Sequence, residues 1–214
     1  LWYACKDDKI SALKGFGQKT QQEIQNLVEF TIANEGKFRF VDALNIAKEI
    51  SRELKALTPT HLSLTGPFRR KMEVLDSIDF LVSKSKEELS EFLQSNEDFT
   101  NIKEKENAVE GLYKKHYLIN LYASDEANFY CRLVETTGND EHLKELKELL
   151  KTEIPCLNSE EDIYKEAGLA FIPAVRREGL NEIEQAKEGK LPKLIETTDL
   201  KGSLHNHSTW SDGI

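Results

Sequence analysis

Residues 66–82 constrain this chain most. Gly66 and Pro67 open a loop that carries Arg69 and Arg70, and the loop runs into a short apolar segment, residues 78–83, of strand type. Glu73, Asp76 and Asp79 set three carboxylates close to the two guanidiniums. Arginines grip phosphate oxygens and carboxylates hold divalent cations, so this pattern points to phosphate chemistry at the start of a sheet strand. Side chains on a strand alternate, so Ser77 and Asp79 share a face while Asp76 points away. A two-metal site needs carboxylates converging on one face. This spacing supplies one, Asp79, unless a bulge turns Asp76 inward.

The flanking sequence supplies a scaffold. Residues 62–65 alternate and read as a strand, as do 116–123 and 128–135, while 87–93 read as a short helix. The expected middle unit is a small mixed or antiparallel sheet with helices on one face. Upstream, Gly15 and Gly17 bracket Phe16 ahead of a helical pattern over residues 21–34. This predicts a tight hairpin between two helices, with Leu13 and Phe16 tucked inside. The first N–H groups of its second helix are open to a phosphate, with Lys14, Lys19 and Thr20 beside them. Residues 38–57 read as an amphipathic helix packed on the hairpin. Downstream, residues 141–150 are helical, and Ser159 caps a helix that Gly168 ends. His142 reads as a structural or surface histidine.

The net charge of -9 over 214 residues does not suit a chain-wide nucleic-acid surface. It is uneven, however. Residues 1–56 carry nine Lys/Arg against eight Asp/Glu, residues 57–135 ten against fourteen, and residues 136–214 ten against sixteen. Any surface for a phosphate backbone therefore favours the first part. Cys5, Cys131 and Cys156 are widely spaced and form no CxxC, so they read as buried or idle thiols in a reducing, cytoplasmic setting. No apolar run is long enough to span a membrane.

The hairpin and residues 66–82 together resemble the family X DNA polymerases, in the bacterial form that continues into a polymerase-and-histidinol-phosphatase (PHP) domain. The resemblance extends over nearly the whole chain. It implies an α+β fold: a helix-hairpin-helix (fingers-like) unit at 1–56, a nucleotidyltransferase-like palm at 57–135 and a small α/β thumb at 136–198. The thumb rests on Gly168-Leu169, Ile172-Pro173, Arg177-Glu178-Gly179 and Glu182-Ile183, with Ala174 in place of an expected second proline. By the same resemblance Lys14, Gly15, Gly17, Lys19 and Thr20 contact DNA. Gly66, Arg69, Arg70, Thr137 and Gly138 contact the incoming nucleotide or its phosphates.

The departures fall on the chemistry. Pro67 stands where the family's loop has a serine, and it offers neither a hydroxyl nor an N–H. Ser77 stands at the first metal aspartate, Asp79 at the second and Asn120 at the third. One carboxylate then remains where three offset two Mg²⁺ or Mn²⁺ ions and a triphosphate. The resemblance therefore implies a DNA-binding core with a degenerate nucleotidyl-transfer site. An active repair polymerase with an unusual metal site, or a scaffold that no longer grips DNA, are the alternatives.

Residues 199–214 end with His205, His207 and Asp212. The histidines are two apart, so a strand sets both toward one metal, and the segment resembles the first metal motif of the PHP domain. In the intact domain these residues hold Zn²⁺ or Mn²⁺ for 3'-5' exonuclease or phosphoesterase work. Three ligands alone do not build that cluster, so little hydrolysis is expected from this chain. The implied partners are gapped or primer-template DNA, bound without sequence preference, and the rest of the PHP domain. No membrane is implied, and a monomer is expected.

Overall fold

A computed structural model describes residues 1–205. The chain opens with α1 (Trp2–Lys6), a run of turns and the long helix α2 (Gln18–Ala33). Next come β1 (Phe38–Arg39), α3 (Phe40–Lys55), β2 (Leu62–Thr65), α4 (Gly66–Arg69), β3 (Val74–Leu75) and β4 (Ile78–Val82). Then follow α5 (Lys86–Ser95), β5 (Phe99–Glu104), β6 (Ala108–Tyr113), β7 (Tyr117–Ala123) and α6 (Phe129–Thr137). The last helices are α7 (Asp140–Leu150), α8 (Glu160–Glu166) and α9 (Glu182–Lys187). The fold is α+β around a mixed five-stranded sheet of order β2-β4-β7-β6-β5, in which β4 and β7 run parallel and the other pairs antiparallel.

The turn before α2 is held by polar bonds. Gln21 is buried; its Oε1 accepts from Ser11 N at 2.8 Å and its Nε2 donates to Asp8 Oδ1 at 2.6 Å. The expected tucking of Leu13 and Phe16 is therefore corrected. They are 54% and 43% exposed, because Gln21 rather than an apolar contact draws the turn onto α2.

The sheet's strand β4 is buried on both faces. Ile78, Phe80 and Val82 of β4 join Ile119, Leu121 and Val109 under α3 and α5. On the other face Leu81 packs against Phe129 and Leu133 of α6. The expectation of helices on one face is thus corrected, and it fits the unbroken apolar run of β4, typical of a strand covered on both sides. Two further corrections follow from the same packing. The buried stripe of α3, Ala43, Ala47, Ile50 and Leu54, lies in the sheet core rather than on the hairpin. Residues 129–135 are helical, not a strand, with Asn128 as the N-cap: Phe129 and Leu133 face the sheet while Cys131 and Val134 face a second core, so apolar residues occur on both sides of one helix.

The second core gathers Leu146 of α7, Ile163 and Tyr164 of α8, Ile183 of α9, and Leu169 and Ile172. Ser159 Oγ accepts from Asp162 N at 3.0 Å and caps α8, and Gly168 ends it with φ +73°. The α/β character expected for residues 136–198 is corrected, since no strand occurs among these described residues. The cysteines also differ from expectation. Cys131 and Cys156 form a disulfide with Cα atoms 4.8 Å apart, and only Cys5 is a free, buried thiol. The disulfide links α6 to the α7–α8 loop and braces the core of the helical segment.

Candidate functional site

A row of polar side chains crosses one face of the sheet. Thr65 of β2 lies opposite Asp79, Asp79 opposite Asn120, Asn120 opposite Glu110 and Glu110 opposite Lys103. Residues in direct register share a face, so the row follows from strand pairing alone. At its centre Ser77 Oγ donates to Asp79 Oδ1 at 2.7 Å, and Asn120 Nδ2 donates to the same oxygen at 2.7 Å. Asn120 Oδ1 is buried and has no hydrogen-bond partner. Glu110 takes Lys105 Nζ at 2.5 Å and Lys103 Nζ at 3.7 Å.

Gly66 completes this center. Its φ is +60°, and a Cβ there would run into Asp79 Oδ2. Only glycine lets the backbone at the head of α4 come so close to the carboxylate. Asp76 lies elsewhere: it is exposed, and its ion-pair partner is Lys37 at 4.0 Å. No bulge interrupts β4, which pairs in unbroken register with β7 from Ile78 to Val82 and with β2 from Asp79 to Val82.

Burial pushes the Asp79 carboxyl above the usual aspartate range. The hydrogen bonds from Ser77 and Asn120 and the charges of Lys105 and Arg70 oppose this without cancelling it. A raised folded pKa means that ionised Asp79 weakens the fold, and that the penalty disappears below the unfolded pKa. Asp79→Asn is therefore expected to be more stable than the parent near neutral pH. The advantage shrinks as pH falls through the folded pKa and is gone once Asp79 is protonated in both states. Urea unfolding of both proteins at several pH values checks this, and a constant difference would contradict it.

The two arginines of residues 66–82 do not point into open space. Arg69 Nη1 donates to Thr137 Oγ1 at 2.9 Å and to Glu160 Oε1 at 2.9 Å, and its Nη2 to Glu160 Oε2 at 2.5 Å. Arg70 Nε donates to Glu178 Oε1 at 2.6 Å and its Nη1 to the Thr137 carbonyl at 2.6 Å. Arg177, fully buried, donates to Glu160 Oε1 at 2.5 Å and to the Ile172 carbonyl at 2.9 Å. Burial alone would raise the Glu160 pKa, but the Arg69 hydrogen bond and the charges of Arg177 and Arg69 hold it below the usual carboxylate range. These bonds clasp the sheet to the helical unit. Thr137, also fully buried, bonds Thr65 Oγ1 at 3.0 Å. Gly138 follows because any Cβ would crowd the ring of His142, 2.9 Å away.

His142 is structural and fully buried. Its Nδ1 meets Glu182 Oε1 at 2.7 Å and its Nε2 meets Tyr164 Oη at 2.8 Å. Burial lowers its pKa against the pull of Glu182, so the ring is neutral, donating from Nδ1 to the carboxylate and accepting the tyrosine hydroxyl at Nε2. Glu182 in turn accepts the backbone N–H groups of Gly179 at 2.8 Å and Leu180 at 2.6 Å.

Lys14, Gly15, Gly17, Lys19 and Thr20 are all exposed, in the turn before α2 and in its first turn. Gly15 has φ +93°, and Gly17 is the N-cap with no side-chain cap on the helix N–H groups. His205 is exposed, while His207 and Asp212 lie outside the described residues. Among the described residues no group of three or more His, Cys, Asp and Glu is arranged to hold a metal ion, and no helix is long and apolar enough to cross a membrane. A cleft of about 780 Å³ at the far ends of β4 and β7, lined by Ser83, Ser85, Ser124 and Arg132 among others, contains none of the predicted site residues.

Sequence reasoning missed Glu160, Glu178, Glu110 and Lys105. Glu178 and Glu160 sit in segments whose shape was readable, but nothing local shows that each faces an arginine about a hundred residues away. Glu110 lies on β6, which the alternation did not reveal, and Lys105 lies just past the end of β5.

No protein-family model matches the chain. Over 233 aligned residues it is 27% identical to the "DNA polymerase/3'-5' exonuclease PolX" of Bacillus subtilis (strain 168), a match covering 98% of the chain and 40% of that protein. The chain thus spans about two fifths of the length of the curated relative it matches.

Proposed function

We propose that this chain is the DNA-binding, polymerase-like core of a family X type protein whose nucleotidyl-transfer site has degenerated. On this reading residues 1–56 form a helix-hairpin-helix unit, 57–135 a palm, 136–198 a thumb, and 199–214 open a PHP domain. The observation that carries it is the Ser77–Asp79–Asn120 arrangement. Both neighbours turn a hydrogen, not a lone pair, toward the one carboxylate. One charge whose Oδ1 already accepts two hydrogen bonds does not fit a pair of Mg²⁺ or Mn²⁺ ions, which need several oxygen ligands each. Arg69 and Arg70 are also committed to Glu160 and Glu178, so here they hold the thumb rather than a triphosphate.

DNA binding is assigned to the α2 end. Uncapped N–H groups, a left-handed Gly15, and the charges of Lys14 and Lys19 offer a phosphate both dipole and cation without reading a base. In the intact PHP domain His205, His207 and Asp212 would take Zn²⁺ or Mn²⁺, which would supply an activated water for phosphoester hydrolysis.

Primer extension on gapped DNA with Mg²⁺ or Mn²⁺ tests the first half. No incorporation above background is expected; incorporation that vanishes in Asp79→Ala would establish a living site. Salt titration of gapped-DNA binding tests the second half. Lys14→Ala with Lys19→Ala is expected to weaken binding and to flatten log K against log salt by about 2. Unchanged affinity would remove the hairpin from the interface and favour a scaffold.

A further inference from the structure

We propose that Cys131–Cys156 is a thiol–disulfide exchange site, and that its redox state sets how firmly the segment leading into α8 is held. The two sulfurs are unequal. Cys131 is 4% exposed within the helical core, whereas Cys156 is exposed on the loop between α7 and α8. An incoming small thiolate or disulfide therefore meets Cys156 first, since exchange needs in-line access to the attacked sulfur. The third cysteine, Cys5, is buried at the other end of the chain and takes no part.

The place of the bond gives it a consequence. Cys156 stands just ahead of Glu160, the carboxylate that pairs with Arg69 and Arg177. Cys131 stands on α6, whose last residue, Thr137, receives both Arg69 and Arg70. The disulfide thus closes a 25-residue separation and ties together two segments on which the clasp is built. Of residues 151–159 only Ile154 is buried in the core, with Leu157 packed partly against it.

The chemistry balances with a low-molecular-weight disulfide as oxidant. The Cys156 thiolate attacks it, expels one small thiolate and becomes a mixed disulfide. The Cys131 thiolate then attacks Cys156 Sγ and expels the second small thiolate. Two protein thiols lose two protons and two electrons, and one small disulfide becomes two thiols. In reverse, a small thiolate attacks Cys156 and expels the Cys131 thiolate.

Glutathione is the probe. The protein is equilibrated at graded ratios of reduced to oxidised glutathione, quenched in acid, unfolded and alkylated, and its mass is measured. Excess oxidised glutathione is expected to leave one alkylatable thiol, Cys5, and excess reduced glutathione all three. Cys131→Ser should instead trap a glutathione adduct on Cys156. The oxidised form should melt roughly 10 °C above the reduced form, from the loop closure. That gap should vanish in Cys156→Ala, a change at an exposed position that leaves the core intact. Three thiols at every ratio, an adduct on Cys5 instead of Cys156, or equal melting of the two forms would each overturn the proposal.

Discussion

Glu160→Ala is expected to destabilise the protein by about 3–5 kcal/mol, because it strands two guanidiniums in a site nearly closed to water. Arg177 has no solvent exposure and Arg69 only 22%, so neither can recover its hydration when the carboxylate is lost. One carboxylate accepts from both arginines, and Arg177 keeps only its bond to the Ile172 carbonyl. In a chain of this size that loss lowers Tm by roughly 10 °C or more. Glu160→Gln retains the shape and isolates the charge; it should fall between the parent and the alanine variant. The folded pKa of Glu160 is lowered, so its contribution is present above the unfolded carboxylate range and is lost as pH falls through the folded pKa. The gap between parent and Glu160→Ala should therefore close on acidification. Thermal melts across pH check both points, and a loss under about 1 kcal/mol, the scale of an exposed pair, would show that the clasp opens in solution.

Ser77→Asp combined with Asn120→Asp is expected to make a metal-responsive protein out of one that is not. The side chains at 77 and 120 already reach the Asp79 carboxylate at 2.7 Å, so two more carboxylates would converge on the same face. Without metal they repel, and the variant should melt below the parent in chelator. With Mn²⁺ at a hundredfold excess over its dissociation constant, it should recover about 2.7 kcal/mol. The parent should not respond. A parent that gains as much from Mn²⁺ would mean that Asp79, with the orphan Asn120 oxygen, already holds the ion, and the degenerate-site reading would fall. Adding Pro67→Ser and testing primer extension asks whether an installed metal site is enough for transfer. The arginine clasp predicts that it is not, unless Arg70 is released from Glu178.

Much of the fold was legible where local chemistry decides it. The strand at residues 62–65 was read to the residue, and the cap of α8 on Ser159 followed from one hydroxyl at the right offset. Two strands of the five-stranded sheet were not legible. In β5 the register shifts between Thr100 and Lys103, with Asn101 at φ +52°, so no clean alternation survives. In β6 apolar residues stand on both faces, as in β4, and a strand covered on two sides has no period-two signal.

The sequence by itself determined which groups the site possesses. Positions 67, 77 and 120 hold proline, serine and asparagine, so none of them offers a carboxylate whatever the backbone does. Period-two geometry alone placed Ser77 beside Asp79 and sent Asp76 away, and the structure has both. Only the tertiary structure decided what the remaining groups do. Arg69 and Arg70 look like phosphate ligands until Glu160 and Glu178 arrive from the far end of the chain. Cys131 and Cys156 look idle until α6 and the α7–α8 loop bring them together. Charge and hydrogen-bonding capacity belong to a residue, but whether they are spent inside the protein depends on partners that chain folding delivers from afar.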